Sequence, residues 1–221
     1  MEVSINVMQK IELNNALPRV FAGMKDLQSQ VWHQHVVFER GKRYLVSAQS
    51  GGGKSSLCAY MYGYRLDFLG EISFDGMSVR DVSIAQWCDI RKHSIAYLPQ
   101  ELRLFPELTA MENVEMKNRL THHKSEKEIK EMFDRLGIAD KCDSLVAKMS
   151  VGQQQRVAIV RTLCQPCDFY LLDEPVSHLD GDNNQIVASM VEAEAQCLGA
   201  GVIATSVGND LKIEAEEVLH L

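Results

Sequence analysis

The stretch "SAQSGGGKSS", residues 47–56, decides the fold of the chain. It follows an apolar run that is typical of a buried strand, and it leads into a stretch of helical periodicity that begins at Lys54 and extends to Tyr64. The glycines at 51–53 carry no side chains, so backbone N–H groups can converge there on phosphate oxygens. The helix that follows adds the positive end of its dipole. The stretch therefore predicts a phosphate-binding loop between a strand and a helix.

Two side chains of this loop have predicted roles in binding a nucleotide. Lys54 can reach the β- and γ-phosphates, and Ser55 can place its hydroxyl on Mg²⁺, which prefers oxygen ligands. The pattern G-x-x-x-x-G-K-[ST] fails only at its first glycine, which is Ala48 here; alanine is the least disruptive replacement if the backbone needs no positive φ. The alternative is a glycine-rich turn with an incidental lysine, which the strand–loop–helix context disfavours. The predicted nucleotide-binding residues are Ala48, Gln49, Ser50, Gly51, Gly52, Gly53, Lys54, Ser55 and Ser56.

A second motif, "FYLLDEP" at 169–175, is an apolar strand that ends in two acids. Asp173, at the strand tip, can hold Mg²⁺ through water, and Glu174 can act on a water in line with the γ-phosphate as a general base or positioning group. An ordinary strand followed by a solvated acidic turn would explain this motif alone. Together with the phosphate loop it indicates a nucleoside-triphosphate hydrolase.

Strands and helices alternate around these motifs, which predicts an α/β fold with a mostly parallel sheet. A charged, helix-favouring segment interrupts the alternation, and it contains a capping box at Ser125 and Glu128. We therefore expect one domain over 1–221: a P-loop NTPase core with N-terminal antiparallel strands at about 1–100 and 150–221, and an inserted helical subdomain at about 101–149. Ligands of such sheets sit beyond the carboxyl ends of the strands. These ends are predicted at Ala48, Gln100, Asp173 and Ser206.

The composition limits the classes of function. The 221 residues carry a net charge of −7, so a basic surface for nucleic acid is not expected. No apolar run approaches the roughly 18–20 residues that span a bilayer, and the start "MEVSINVMQK" lacks the features of a secretory signal. The six scattered cysteines are predicted to be reduced thiols. We expect a cytoplasmic protein with no direct contact to nucleic acid.

A third motif carries a family resemblance. In "KMSVGQQQRVAIVRTL" (148–163), the pair Ser150 and Gln153 forms a capping box, which alone would explain a helix start. Yet Ser150, Gly152 and Gln153 resemble the L-S-G-G-Q signature of ATP-binding cassette (ABC) ATPases, with Val151 in place of the first glycine. "SHLD" (177–180) resembles the D-loop of that family. The order and spacing of the motifs are similar to the family from about Val36 onward.

The resemblance implies roles for residues that the local patterns leave open. ABC ATPase domains close as head-to-tail pairs with ATP between them, so this chain is expected to form a homodimer or a pseudo-symmetric dimer. Gln100 resembles the Q-loop glutamine, which reaches Mg²⁺ and the attacking water. Phe21 is either the aromatic that stacks on adenine or a core residue. The remaining implied assignments are Glu174, Lys54 and Gln100 as catalytic residues, Ser55, Gln100 and Asp173 at the metal, Ser150, Val151, Gly152 and Gln153 in trans, and Asp180 at the dimer seam.

The resemblance also implies a membrane partner. The expected role is an ATP-hydrolysing subunit at the inner face of the cell membrane that drives separate permease subunits. The segment "LRLFPELTAMENVEM" (102–116) looks most like the lipoprotein-releasing and macrolide-export branch. A cassette acting on nucleic acid or ribosomes, and a nucleotide-gated module with little hydrolysis, stay open as alternatives.

The stretch "GVIATSVGND" (201–210) departs most from the family pattern. The family has a histidine after this strand, in a T-H-D context, that hydrogen-bonds the γ-phosphate. Here the aligned residues are Thr205, Ser206 and Val207, so a serine stands at the switch position. Because serine is shorter and cannot carry positive charge, we expect slow hydrolysis unless a partner activates it, or a role in which ATP binding matters more than turnover.

Overall fold

A computed structural model describes residues 7–24 and 27–221; residues 1–6, which include much of the stretch "MEVSINVMQK", lie outside the described residues. The strands are β1 (Lys10–Pro18), β2 (His35–Glu39), β3 (Arg43–Ser47), β4 (Phe68–Phe74), β5 (Met77–Ser78), β6 (Ile95–Leu98), β7 (Phe169–Asp173), β8 (Gly201–Ser206) and β9 (Glu217–His220). The α-helices are α1 (Lys54–Met61), α2 (Ile84–Asp89), α3 (Ala110–Asn118), α4 (Glu126–Arg135), α5 (Val151–Leu163) and α6 (Gly181–Leu198).

Five strands form a parallel sheet in the order β6-β7-β8-β3-β9, which confirms the predicted α/β fold. Every residue of β7 and of β8 is buried, as expected for central strands covered on both faces. Because the strands are parallel, their carboxyl ends meet at one edge. The loop after β3, the acids Asp173 and Glu174 at the end of β7, and the end of β8 are therefore brought together there.

The predicted N-terminal antiparallel strands form a second sheet in the order β2-β1-β4-β5. β4 and β5 form a hairpin whose two turn residues, Asp75 and Gly76, both have positive φ, as a type I′ turn requires. Although β2 and β3 are consecutive, they belong to different sheets, and the chain crosses between them at Gly41, whose φ is +80°.

Two apolar clusters fill the interior on the two faces of the parallel sheet. One lies between the parallel and antiparallel sheets and includes α1 residues such as Leu57 and Tyr60. The other joins the opposite face of the sheet to α5, α6 and the helical segment, with Phe133 and Val157 among its members. The helical segment is thus packed onto the sheet through α5.

The helical segment contains α3 and α4, and the capping box of α4 forms as predicted: Ser125 accepts from the backbone N–H of Glu128, whose carboxylate accepts from the N–H of Ser125. An isolated bridge between Thr109 and Leu145 joins the two ends of the segment. The proposed boundaries near 101 and 149 stay a prediction. Within the described residues, no helix combines the length and apolarity that crossing a bilayer demands.

Candidate functional site

The loop between β3 and α1 has the backbone geometry that the glycines predict. Gly51 and Gly53 have φ of +87° and +93°, a region that residues with a Cβ rarely adopt. A Cβ on Gly52 would lie 2.8 Å from the Cβ of Ala48, so the methyl at 48 is tolerated because position 52 is a glycine. Ala48 itself has no positive φ, which is the condition on which alanine can replace the first glycine of the pattern.

Lys54 is buried at the mouth of this loop. Its ammonium donates to the carbonyl oxygens of Ala48, at 3.4 Å, and Gln49, at 3.2 Å. The same nitrogen lies 3.8 Å from a carboxylate oxygen of Glu174. The structure therefore places the predicted phosphate-binding cation between the loop and the second of the two predicted acids.

Asp173 ends β7 and is only 1% exposed. Its Oδ1 accepts a hydrogen bond from the hydroxyl of Thr205 at 2.7 Å, whereas Oδ2 has no hydrogen-bond partner among the described residues. Burial raises the pKa of the Asp173 carboxyl, an effect that the hydrogen bond from Thr205 partly offsets. A buried carboxylate oxygen without a partner is costly by itself, and a bound cation would satisfy it.

Glu174 has an unusual backbone, with φ of +51°. Its N–H donates to both the carbonyl and the hydroxyl oxygen of Thr205 at 3.2 Å, and its carbonyl accepts from the amide of Gln155 at 3.1 Å. The side-chain carboxylate accepts from Nε2 of Gln100 at 3.3 Å. Hydrogen bonds on both of its peptide groups therefore hold Glu174 in this conformation.

Gln100 follows β6 and connects the two motifs. Its Oε1 accepts from the hydroxyl of Ser55 at 3.4 Å, and its Nε2 reaches Glu174. The predicted catalytic and metal-site residues are thus brought together at one edge of the sheet. They are Lys54, Ser55, Gln100, Asp173 and Glu174.

Two aromatic residues border the phosphate loop. A Cβ on Gly53 would lie 3.0 Å from Phe21 and 3.2 Å from Trp32, so both rings pack closely on the glycine. Phe21 is half-buried and lines a cleft of about 300 Å³ that also contains Lys54 and Glu174. Trp32 donates from Nε1 to the carbonyl of Gly52 at 3.1 Å, and no sequence pattern marked this residue.

The predicted signature residues lie at the start of α5. Ser150 caps the helix and shares a capping box with Gln153, while Val151 is 51% exposed. A Cβ on Gly152 would lie 3.0 Å from the carbonyl oxygen of His178, so this glycine permits a close approach of α5 to the D-loop. These residues do not line the cleft at the chain's own phosphate loop within the described residues. The structure therefore does not bring them to that loop within one chain.

Two other predicted residues make contacts that the motifs did not indicate. Asp180 caps α6 by accepting from the N–H of Asn183 at 2.9 Å, and this bond lowers the pKa of the Asp180 carboxyl. Ser206 ends β8 as a buried residue, and its hydroxyl donates to the carboxylate of Asp210. The Ser206 side chain is therefore occupied on the side of Asp210 rather than within the cluster around Glu174.

A model of the ABC transporter family matches residues 33–177. The lipoprotein-releasing system ATP-binding protein LolD of Shewanella denitrificans is 28% identical over 94% of this chain and 90% of that protein. The uncharacterized ABC transporter ATP-binding protein YbbA of Escherichia coli is 30% identical over 81% of this chain and 79% of its own length.

Solved structures share the fold. The dimeric bacterial ABC transporter cassette MJ0796 has a TM-score of 0.78 at 23% identity, covering 96% of this chain and 94% of that one. A post-hydrolysis dimer of the same cassette, bound to ADP and Pi, has a TM-score of 0.76 at 22% identity and the same coverage. At this identity the likeness concerns the fold, and the family assignment comes from the sequence matches. The chain therefore belongs to the ABC transporter family, as an ATP-binding subunit and an ATPase of that family.

Proposed function

We propose that the chain binds ATP on the loop at 48–56 and hydrolyses it with Glu174 as the general base. The convergence of Lys54, Gln100 and Glu174 at one edge of the sheet carries this proposal. Glu174 can accept the proton of an attacking water, and Gln100 is placed to orient that water through its amide. Single-turnover phosphate release by the purified chain tests the proposal, with Glu174→Gln as the variant that separates hydrolysis from binding.

The residues present fit a Mg²⁺ ion. The free Oδ2 of Asp173, the hydroxyl of Ser55 and the Oε1 of Gln100 are all oxygen atoms, which this ion prefers. When bound, Mg²⁺ would neutralise charge on the β- and γ-phosphates. Lys54 and the backbone N–H groups of the loop add positive potential from the other side.

We further propose that two cassettes close head to tail over ATP. Ser150 and Gly152 at the start of α5 lie outside the cleft of their own chain, so they are available to a nucleotide held by a second cassette. The exposed side chain of Val151 limits how closely the start of α5 can approach a phosphate group. This limit supports slow ATP turnover in a pair of identical cassettes. In the same arrangement Asp180, which caps α6, would lie at the seam between the cassettes.

A groove on the helical side of the cassette is the proposed docking site for separate permease subunits at the inner face of the membrane. It has a volume of about 250 Å³ and contains three tyrosines and three cations, with apolar side chains on its rim. The residues that carry this proposal are Tyr64, Arg103, Phe105, Met116, Lys117 and Arg161. Burial lowers the pKa of Lys117 to about 8. A carboxylate of a docking segment would favour the protonated, charged form of Lys117 and would be attracted to it.

The position of this groove supports coupling to the hydrolytic site. Arg103 and Phe105 follow Gln100 within five residues of the chain, and Gln100 contacts Ser55 and Glu174. A segment seated in the groove would therefore act on the backbone that positions Gln100. The LolD-like relatives suggest a permease of the lipoprotein-releasing branch, and the transported substrate would be selected by that permease.

We expect Met116→Glu to weaken binding of the permease at least tenfold. Met116 is 47% exposed on the rim of the groove, and an added carboxylate there would compete for Lys117 and Arg161. The matched control is Val218→Glu, since Val218 is 48% exposed on β9 at the opposite edge of the sheet. Recovery of a co-expressed permease of the lipoprotein-releasing branch with the purified chain is the measurement. Equal recovery with both variants would remove the groove from the docking proposal.

We expect Ser206→His to raise the single-turnover rate of ATP hydrolysis severalfold. The carboxylate that now accepts from Ser206 belongs to Asp210, and it can orient an imidazole ring at position 206 through one ring nitrogen. The other nitrogen would then be free to reach the γ-phosphate. Ser206→Ala serves as the control and should leave the rate within about twofold. An unchanged or lower rate in Ser206→His would count against the proposed cause of slow hydrolysis.

A further inference from the structure

Gln155 lies in the second turn of α5 and is buried, with both ends of its amide in use. Its Nε2 donates to the carbonyl of Glu174 at 3.1 Å and to the hydroxyl of Ser177 at 3.3 Å. Its Oε1 accepts from the backbone N–H of His178 at 2.9 Å. One side chain therefore holds both ends of the segment 174–178, which begins at the proposed general base.

The bond to the Glu174 carbonyl has a specific consequence. Glu174 adopts φ of +51°, which a residue with a Cβ keeps only where its surroundings impose it. Thr205 fixes the peptide before Glu174 through the N–H, and the carbonyl of the peptide after it accepts from Gln155 and from the backbone N–H of Ser177, at 3.3 Å. Since the direction of a side chain follows from its backbone, Gln155 is the side chain through which α5 acts on the direction of the Glu174 carboxylate.

The same helix reaches the proposed interface with the second cassette. Gln155 is five residues from Ser150, within the same rigid helix. Between them, Gly152 approaches the carbonyl of His178 so closely that a Cβ would lie 3.0 Å from it. A displacement of the start of α5 is therefore passed to the segment 174–178 at two points, by packing at Gly152 and by hydrogen bonds at Gln155.

We propose that Gln155 is a positioning residue that transmits the state of the signature end of α5 to Glu174 of the same chain. Among the described residues, Gln155 is not one of those that line the cleft at the phosphate loop. ATP bound by the phosphate loop of the second cassette would contact Ser150 of this chain. Through Gln155, that contact would change the orientation of Glu174 in this chain. This inference rests on the proposed function for the head-to-tail arrangement and for Glu174 as the base.

The test compares two neighbouring glutamines. Gln155→Met keeps the length of the side chain and removes its donor and its acceptor. The control Gln154→Met does the same on the same helix, but the amide of Gln154 donates to Val146 and Met149 in the helical segment. We expect Gln155→Met to lower kcat for ATP hydrolysis at least tenfold relative to Gln154→Met, with KM for ATP within twofold.

A second readout does not depend on hydrolysis. Amide hydrogen exchange at 174–178 should be accelerated by Gln155→Met in the presence of Mg²⁺ and ATP, and unchanged by Gln154→Met. If Gln155→Met fails to fold, Gln155→Glu replaces it: the variant keeps the acceptor for the N–H of His178, loses the donor to Glu174 and should show the same loss of kcat.

The outcomes separate the inference from the function on which it rests. Equal kcat for Gln155→Met and Gln154→Met, or a loss confined to KM, would overturn the role of Gln155, as would unchanged exchange at 174–178. A wild-type chain that hydrolyses no faster than Glu174→Gln would instead overturn the proposed function. In that case the exchange measurement still decides whether Gln155 holds the segment.

Discussion

Replacing Asp173 with asparagine is expected to abolish Mg²⁺-dependent ATP hydrolysis and to stabilise the nucleotide-free chain at neutral pH. The two effects have one cause, a carboxylate that is 1% exposed and has one oxygen without a partner among the described residues. Asparagine keeps the acceptor for Thr205 and removes the buried charge, but it is a poorer ligand for Mg²⁺. Thermal unfolding without nucleotide and phosphate release with ATP are the measurements. For a chain of this size, each kcal/mol shifts Tm by about 2–4 °C.

The direction in which stability changes with pH provides a second test of the role of Asp173. Because burial raises the pKa of Asp173 in the folded chain, folding favours the protonated form of this group. The contribution of Asp173 to the free energy of unfolding therefore decreases as pH rises from the ordinary pKa of an aspartate to the raised pKa of Asp173. Above the raised pKa the destabilisation by the buried charge is complete. Asp173→Asn should remove this decrease. A lower Tm than wild type at neutral pH, or retained hydrolysis, would contradict the assignment.

Asp180 provides a control in which the pH dependence of stability has the opposite direction. The N–H of Asn183 lowers the pKa of Asp180, so its contribution is present above the ordinary Asp pKa and is lost as pH falls through the lowered one. Asp180→Asn should therefore lower Tm slightly at neutral pH and bring little change in strong acid. A rise in Tm with Asp180→Asn would show that the stabilisation of Asp173→Asn has another cause.

Replacing Glu174 with glutamine is expected to preserve ATP binding while lowering the rate of hydrolysis by about 10²–10⁴-fold, the usual contribution of a general base. Glutamine matches glutamate in size and can still hydrogen-bond Gln100, but it does not accept a proton from water at neutral pH. The variant should therefore remain closed over ATP as a dimer. Light scattering after size exclusion, with Mg²⁺ and ATP present, measures the closed state.

The control for that experiment is Glu217→Gln, which removes an exposed carboxylate on β9, at the edge of the sheet away from β6. It should behave as wild type, with little ATP-bound dimer once the nucleotide is turned over. If Glu174→Gln and Glu217→Gln give equal amounts of dimer, Glu174 does not control the closed state.

The local motifs allowed most of the fold and much of the site to be predicted from the sequence. The phosphate loop at 47–56 and the acids after β7 are each encoded within about ten consecutive residues, and the parallel sheet then brings their ends to one edge. The departure from the pattern at Ala48 also agrees with the condition drawn from the sequence. Alanine can replace the first glycine if the backbone at that position needs no positive φ, and Ala48 has none. The capping boxes at Ser125 and Ser150 depend on spacings of three residues and could be located for the same reason.

The contacts that hold these motifs could not be predicted, since each joins residues that are far apart in the sequence. Thr205 reaches Asp173 across 32 positions, and Trp32 reaches Gly52 across 20. No periodicity or motif encodes such a pair. A local error has a different origin: helical periodicity predicted α1 as far as Tyr64, but the helix ends at Met61, and Gly63 follows with φ of +69°.

Position 206 shows what an aligned motif omits. The family resemblance predicts that Ser206 occupies the switch position, and the structure adds that its hydroxyl donates to Asp210. That acceptor lies four residues further along, in a loop that the motif does not include. The serine hydroxyl is directed to Asp210 and is too short to reach beyond it, so slow hydrolysis stays a prediction that Ser206→His tests.

Single-turnover release of phosphate from ATP tests the central claim most directly. The purified chain, in excess over ATP and with Mg²⁺ present, is compared with Glu174→Gln in one experiment, with nucleotide binding measured in parallel. We predict that both proteins bind ATP and that only the wild-type chain releases phosphate at a measurable rate, at least a hundredfold faster than the variant. Equal rates in the two proteins would contradict the assignment of Glu174 and the account of the site that depends on it.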